Sequence, residues 1–286
     1  MEVSKRRILS LQVLRDTIVD SRGVLAFPNQ GPELTVDDHV AFTKLFGEAE
    51  VHAVAQGMPE HPEVLEIVRE KSAKVIFGEE LHSDHSFQTR SFPAAYSFLR
   101  VTDETPPFGT NNTIFCNTMM AYEALSPSFQ RLISGLKVYH SAGKAYNLGS
   151  ETNSLAAMQQ TSSMELNNKP MMDDVLQPLV TVHPDTGKPC LFCSPTFTGT
   201  SDGSPALCGP DGVRMSHEET DAILGYLYEH MTKKEFRSTV PWVPHQVTMW
   251  DNRQLIHKGE VDYTDCRRVV QRVSVRMPVA PVEYVM

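Results

Sequence analysis

Apolar positions change their spacing several times along this chain, and each change predicts an element. Within residues 5–27, Val13-Leu14 and Ile18-Val19 recur at helical intervals before the run Gly23-Val24-Leu25-Ala26-Phe27, which predicts a helix and then a strand. Thr35-Val36-Asp37-Asp38 precedes Val40, Ala41, Phe42, Leu45 and Phe46, the pattern of a capped amphipathic helix ending at Gly47. Val64–Val68, Ala94–Val101, Val247–Trp250 and Val269–Met277 predict strands, the last stopped by Pro278. Helical spacing returns over Met119–Leu136, with Gly135 marking the end, and over Glu218–Phe236. Residues 150–172 are rich in Ser, Asn, Gln and Met and read as a loop or lid, and residues 199–214, rich in Gly, Ser, Pro and Asp, read as a second loop. Short strands interleaved with a few helices predict a mainly β fold, a sandwich or jelly roll with helical buttresses, in one domain over residues 1–286.

Composition narrows the partners. The 286 residues are 41% hydrophobic and 21% charged, ordinary for a globular chain that buries its core without disulfides. A net charge of -9 disfavours nucleic acid and anionic membrane as partners and leaves a small molecule, whose anionic groups a few local arginines can still attract. The charged start Met1-Glu2-Val3-Ser4-Lys5-Arg6-Arg7 leads into no long apolar run, so neither a secretory signal nor a membrane helix is expected. Five cysteines, at 116, 190, 193, 208 and 266, fit reduced thiols and a cytoplasmic setting. Cys190-Leu191-Phe192-Cys193 has the spacing of half a zinc site but no second pair, which favours buried structural thiols. A homo-oligomer stays open.

The densest chemistry lies in Leu81-His82-Ser83-Asp84-His85-Ser86-Phe87. On an extended segment residues i and i+2 share a face, so His82 and Asp84 can offer an imidazole and a carboxylate to one ion while His85 points away. A bare His-x-Asp is weak evidence, because a solvated turn has the same letters. It gains weight from the C-terminal third, where Trp250-Asp251-Asn252-Arg253-Gln254-Leu255-Ile256-His257 is followed fifteen residues later by Arg272. Two histidines and one carboxylate leave coordination positions open, as an oxygen-activating iron requires. Arg268, Val270 and Arg272 share one face of their strand, and an arginine there can grip a carboxylate as a two-pronged fork.

From about residue 20 to 278 the chain resembles the taurine dioxygenase-like (TauD/TfdA) iron(II)/2-oxoglutarate oxygenases. The landmarks come in family order: His-x-Asp-x-Ser-Phe at 82–87, Pro-Pro-x-Gly at 106–109 and then Thr113, Ala121-Tyr122-Glu123-Ala124-Leu125, Leu132-x-x-Gly135-Leu136, His183-Pro184-x-x-Gly187-Lys188, Trp250-Asp251-Asn252-Arg253 with His257, and Arg268 with Arg272. The resemblance implies a double-stranded β-helix, a distorted cupin-like jelly roll, agreeing with the strand-rich reading. It implies Fe(II) as metal, held by His82, Asp84 and His257, with 2-oxoglutarate and O2 as co-substrates. Thr113 and Arg272 are then expected to bind the distal carboxylate of 2-oxoglutarate, with Arg268 nearby. Thr110-Asn111-Asn112 stands where the family usually has Gly-Gly-Asp, and Asp84 argues against a halogenase, which needs a small residue there.

For the substrate, the resemblance matches His52 to a histidine that contacts an acid group and Phe197 to a pocket phenylalanine. Ala55 and Gly78 stand where taurine contacts are expected to be Tyr and Asn, so taurine fits poorly. The expectation is a small anionic or zwitterionic acid (amino, carboxylic, sulfonic or aryloxy), oxidised by hydroxylation or by desaturation or cyclisation. His140, Lys144, Tyr146 and Asn147, just before the 150–172 segment, are further candidates for contacting it. Two rivals stay open: a zinc-type hydrolase using the same His/Asp set, and a β-helix protein that binds a ligand without turning it over.

Overall fold

In the computed structural model, which describes residues 11–71, 73, 78–88, 93–146, 167 and 173–286, the chain begins with α1 (Leu11–Asp20), β1 (Val24–Phe27) and α2 (Val36–Lys44). There follow β2 (Ala49–Glu50), β3 (Val64–Arg69), β4 (Ala94–Val101), β5 (Thr113–Asn117), α3 (Thr118–Glu123), α4 (Pro127–Ile133), β6 (Lys137–Ser141) and α5 (Ala142–Tyr146). The second half contains β7 (Asp174–Pro178), β8 (Val180–Val182), β9 (Pro189–Leu191), β10 (Leu207–Cys208), α6 (His217–Met231), β11 (Arg237–Val240), β12 (Val247–Asp251), β13 (Leu255–Gly259) and β14 (Arg268–Arg276).

The main sheet runs β1-β12-β4-β14, and both β2 and β3 pair with the far edge of β14. Opposite it lies the sheet β11-β5-β13, and two smaller sheets, β10-β6-β7 and β8-β9, complete the described strands. Every pairing between these strands is antiparallel, and the two facing layers with flanking helices form a jelly roll.

Burial on both faces explains why β4 lacks a polar side. Tyr96 and Phe98 pack with Leu14, Ile18 and Phe46 beneath α1 and α2. Leu99 and Val101 turn the other way, joining Phe115, Trp242, Trp250, Leu255 and Val270 between the layers. Ser97 shares that inner face by strand alternation, a buried hydroxyl that needs a partner. The Thr35 side chain caps α2 together with Asp38 in the capping box expected from the sequence.

Several expectations change. The helix expected over Met119–Leu136 is two helices, because Ser126 is extended and caps α4 with Pro127 in its first turn, which interrupts the ladder from α3. The helix expected to run to Phe236 ends at Met231, and Lys234–Phe236 forms a 3-10 turn. The loop expected over 199–214 contains β10, which pairs Leu207 with Val138, and Arg214 lies over the Tyr139 ring at 4.2 Å. The segment 150–172, expected as a lid, lies outside the described residues except for Asn167. Strands β5, β6 and β13 were not anticipated, and two of them build the site.

Candidate active site

His82 and His257 are tied together through their backbones. The His82 N–H donates to the His257 carbonyl at 3.0 Å, and the His257 N–H donates back to the His82 carbonyl at 2.7 Å. This isolated bridge adds the His82 segment to β13, whose other edge pairs with β5. The chain then leaves extended geometry: His85 has φ of 53°, and the turn brings Asp84 beneath both imidazoles. Nε2 of His82 lies 3.7 Å from Asp84 Oδ1, and Nε2 of His257 lies 3.9 Å from Asp84 Oδ2. One ligand atom from each of the three lies within 4.8 Å of the others, close enough for all three to reach one metal ion.

Each side chain is held for that task. His82 Nδ1 lies 2.7 Å from the Glu80 carbonyl, which fixes the proton on Nδ1 and leaves Nε2 as the free lone pair. The His257 ring stacks on Phe115 at 5.6 Å and 24° and packs against Trp250 at 4.8 Å. Asp84 Oδ2 accepts from the Ser97 hydroxyl at 2.7 Å, and Oδ1 accepts from Nη1 of Arg272. Asn252 organises this corner: its Oδ1 accepts from the Asp84 N–H at 3.2 Å and from Trp250 Nε1 at 3.1 Å, while its Nδ2 donates to Ser97 Oγ at 2.9 Å.

The protonation states suit a cation. Burial raises the Asp84 carboxyl, but Arg272, His257 and His82 outweigh it and hold the group well below the usual carboxylate range. Burial lowers both imidazoles, pushing His257, with help from His82, down to about 3. Two neutral imidazoles and one carboxylate are the forms that ligate a metal. All three are buried, and Arg272 with the Ser97 hydroxyl keeps the carboxylate ionised there, ready for a divalent ion.

The two arginines of β14 occupy different places. Arg272 contacts Asp84, and its Nη2 lies 3.3 Å from His85 Nε2. Arg268 stands opposite Arg69 across the β3–β14 pair, a like-charge juxtaposition that is ordinarily destabilising. Its guanidinium lies 6.0 Å from the Trp242 ring, and Trp242 Nε1 donates to Thr113 Oγ1 at 3.0 Å. Arg268 Nε and Arg69 Nε are enclosed without hydrogen-bond partners, and neither side chain makes an ion pair among the described residues. Burial, with Arg69 beside it, lowers Arg268 to about 10. Thr113 pairs with Gly259 while Phe115 pairs with His257, so Thr113 lies two residues, about 7 Å, along the strand from the level of the metal ligand.

An aromatic wall flanks the ligands. Phe197 lies 6.0 Å from the His82 ring and 4.8 Å from Phe87, and Tyr146 packs against both phenylalanines. Val54 and Ala142 complete this cluster. His52 lies on its polar side: its Nδ1 accepts from the Val54 and Ala55 N–H groups at 3.1 and 2.9 Å, so a neutral ring carries its proton on Nε2. His140 uses both ring nitrogens inside the protein, facing Ser86 Oγ at 2.9 Å and the Phe192 carbonyl at 3.2 Å, which leaves it no atom for a ligand. Lys144 bonds the carbonyls of Pro195 and Thr196, and Asn147 lies outside the described residues.

Sequence reasoning expected His85 to face away, but its positive φ turns it into the site. It also passed over Ser97, Trp242, Glu50 and Arg69, and took Asn252 only as part of a landmark. For Ser97 the hint was a polar side chain inside an otherwise apolar strand. A second His/Asp grouping, His183, Asp185 and Asp251, is already neutralised by Arg253, which bonds Asp251 through Nε at 2.8 Å and reaches Asp185 at 2.7 Å. Cys190 and Cys193 are buried free thiols, consistent with the structural reading.

The sequence pattern of the taurine catabolism dioxygenase TauD, TfdA family matches residues 7–274. An alpha-ketoglutarate-dependent sulfonate dioxygenase of Saccharomyces cerevisiae is 25% identical over 87% of this chain and 56% of its own length. An alpha-ketoglutarate-dependent 2,4-dichlorophenoxyacetate dioxygenase of Cupriavidus pinatubonensis is 29% identical over 91% of this chain and 86% of its own. The crystal structure of AAD-2 in complex with Mn(II) and N-oxalylglycine superposes with a TM-score of 0.70 at 26% identity, covering 99% of this chain and 93% of that one. The chain spans 60% and 56% of the lengths of two yeast relatives, so those proteins contain more than the matched part.

Proposed function

The chain belongs to the TauD/TfdA family of Fe(II)- and 2-oxoglutarate-dependent dioxygenases, and from that membership we propose that it oxidises a C–H bond of a small organic acid. His82, Asp84 and His257 hold the iron in this reading. When bound, the metal would activate O2, with 2-oxoglutarate giving up two electrons as it is converted to succinate and CO2. The protein's part is to keep one face of the ion open, bind both acids and exclude competing water.

The observation that carries the co-substrate assignment is the pair Arg69 and Arg268, two neighbouring guanidinium groups with enclosed, unpartnered Nε atoms. Arg69 Nη2 donates to the Tyr263 carbonyl at 3.0 Å, a neutral acceptor, so the paired positive charge favours an anion beside it. Thr113 lies near Arg268 through Trp242, at a distance from the metal ligands that a five-carbon diacid spans. We therefore assign the distal carboxylate of 2-oxoglutarate to Thr113 and Arg268. Arg272, which contacts Asp84 and His85, is assigned to the acid group of the primary substrate instead, whereas the sequence expectation placed it with Thr113 and Arg268 on 2-oxoglutarate.

His52 supports the same placement, because its Nε2–H is the donor left over once Nδ1 has taken two backbone amides. Phe197, Phe87, Tyr146 and Val54 give the substrate an apolar wall for its carbon body. Carboxylic, sulfonic and aryloxy acids fit this division into a cationic corner and an aromatic side. The test is spectroscopic: anaerobic addition of Fe(II) and 2-oxoglutarate gives a weak visible charge-transfer band. Absence of the band, or its persistence in His82→Ala, overturns the assignment. Succinate release screened over the three acid classes then identifies the substrate group.

A further inference from the structure

His85 and Glu50 have no part in the metal set, yet they are built into the site as firmly as the ligands. Glu50 is 6% exposed and sits on β2 opposite Ser274, two residues beyond Arg272 on the same face of β14. Both of its oxygens have partners: Oε1 accepts from Gln88 Nε2 at 2.5 Å, and Oε2 lies 2.8 Å from His85 Nδ1. His85 is 3% exposed and held at φ of 53°, a left-handed conformation that a residue with a Cβ adopts at a cost. The same turn returns the chain so that the Gln88 N–H reaches the His85 carbonyl at 3.0 Å, which brings Gln88 back to Glu50.

The tautomer follows from the partners. A guanidinium only donates, so the 3.3 Å contact from Arg272 Nη2 makes His85 Nε2 an acceptor. The proton then sits on Nδ1 and is donated to Glu50. Glu50, His85, Arg272 and Asp84 thus form a continuous chain of carboxylate, imidazole, guanidinium and carboxylate. The His52 ring lies edge-on to His85 at 4.6 Å and closes the corner.

We propose that Glu50 and His85 are positioning residues that aim Arg272 at the substrate acid and give it a counter-charge that metal binding does not draw on. Asp84 accepts directly from Arg272 Nη1, and as a metal ligand it shares its charge with the ion. Glu50 lies outside the ligand set, so its charge reaches Arg272 through the imidazole whether the metal is present or not. Held at Asp84 on Nη1 and at His85 on Nη2, the guanidinium cannot rotate, and its remaining N–H bonds keep one direction. The inference rests on the assignment of Arg272 to the substrate acid.

The experiment uses the full chain loaded with Zn(II), a diamagnetic stand-in, and 2-oxoglutarate. Long-range 1H–15N NMR reads the tautomer of His85, while 2,4-dichlorophenoxyacetate and 1-hexanesulfonate are titrated as acid probes. The wild type shows Nδ1 protonated and Nε2 bare; Glu50→Gln, whose amide can donate to Nδ1, moves the proton to Nε2. Whichever probe binds is weakened about tenfold or more in Glu50→Gln and in His85→Asn, which tolerates the left-handed backbone. Affinity for 2-oxoglutarate stays unchanged in both, and Glu50→Asp restores part of the probe binding. A protonated Nε2 in the wild type overturns the proposal without reference to any probe. Probe affinity that survives Glu50→Gln and His85→Asn but falls in Arg272→Met also overturns it and leaves the substrate assignment standing. Probe affinity indifferent to Arg272→Met sinks that assignment, and the positioning proposal with it.

Discussion

Ser97 and Asp84, thirteen residues apart in sequence, are joined by a 2.7 Å hydrogen bond from the serine hydroxyl to Oδ2 of the carboxylate. With its one proton committed there, Ser97 accepts from Asn252 Nδ2 at 2.9 Å, and the 3.1 Å contact with Ser274 must have Ser274 as donor. A ligand carboxylate oriented this way is fixed before any ion arrives. Ser97→Ala removes the orienting donor and leaves the Asn252 amide without its acceptor in a buried place. We expect roughly 10- to 100-fold weaker metal binding, the usual scale for groups that orient a ligand. Stability should fall by about 1–3 kcal/mol. Calorimetric titration with Mn(II) and urea unfolding of the metal-free protein measure the two effects separately.

The arginines of β14 give a second prediction, because they differ in their surroundings. Arg268→Met should raise the KM for 2-oxoglutarate by roughly 10- to 100-fold, the scale of a lost hydrogen bond to a charged group. Relief of the Arg69–Arg268 juxtaposition should leave its stability unchanged or improved. Arg272→Met should leave 2-oxoglutarate affinity nearly intact and raise the KM for the primary acid. Equal effects of both variants on both KM values would contradict the division. Steady-state succinate release at varied 2-oxoglutarate and varied acid separates these outcomes.

Much of this was legible in the chain, for a definable reason. Amphipathic helices and apolar strands announce themselves by period, and α2 appeared with its Thr35–Asp38 cap in place. Arg268, Val270 and Arg272 were put on one face by strand alternation alone, and that holds because β14 is regular over its inner part. His85 defeated the same rule. Alternation presumes extended backbone, and one residue at φ of 53° sends a side chain expected to face away into the corner beside Arg272. Glu50, Trp242 and Arg69 were invisible because their partners lie far off in sequence: Glu50 meets His85 thirty-five residues on, and Trp242 meets Thr113 across 129 residues. Nothing local distinguishes such residues from surface ones.

Burial of histidines predicts how stability responds to acid. His39 is 1% exposed, and burial, with Arg100 adding repulsion, pushes its folded pKa from 6.5 down to about 3. As pH falls below 6.5 the unfolded chain takes up the proton first, so the stability present above that value declines until pH reaches about 3. One such residue contributes a slope of up to about 1.4 kcal/mol per pH unit across that window. His39→Leu should flatten the dependence of unfolding free energy on pH between 6 and 4 by about that amount. An unaltered slope would mean that His39 is not neutral in the folded protein.

The cluster around Asp251 yields the last prediction, since His183, Asp185 and Asp251 have the spacing of a second metal site. Asp251 is wholly buried and already saturated. Oδ1 accepts from Arg253 Nε at 2.8 Å, and Oδ2 accepts from Arg253 Nη2 at 2.7 Å and lies 2.9 Å from His183 Nε2. A divalent ion placed there would have to displace a guanidinium that also reaches Asp185 and lies 4.5 Å from the Tyr96 ring. The group therefore serves as a clamp between the strand end at Asp251 and the turn at His183, and the chain should bind one metal ion rather than two. Asp251→Asn keeps the shape and removes the charge, leaving Arg253 buried with only the half-exposed Asp185 as counter-ion. Stability should fall by roughly 3–5 kcal/mol, the scale of a broken buried ion pair. Metal stoichiometry, read by elemental analysis after gel filtration of folded protein, should stay at one ion per chain in both proteins. Two ions bound to the wild type and one to the variant would show that the clamp is a metal site after all.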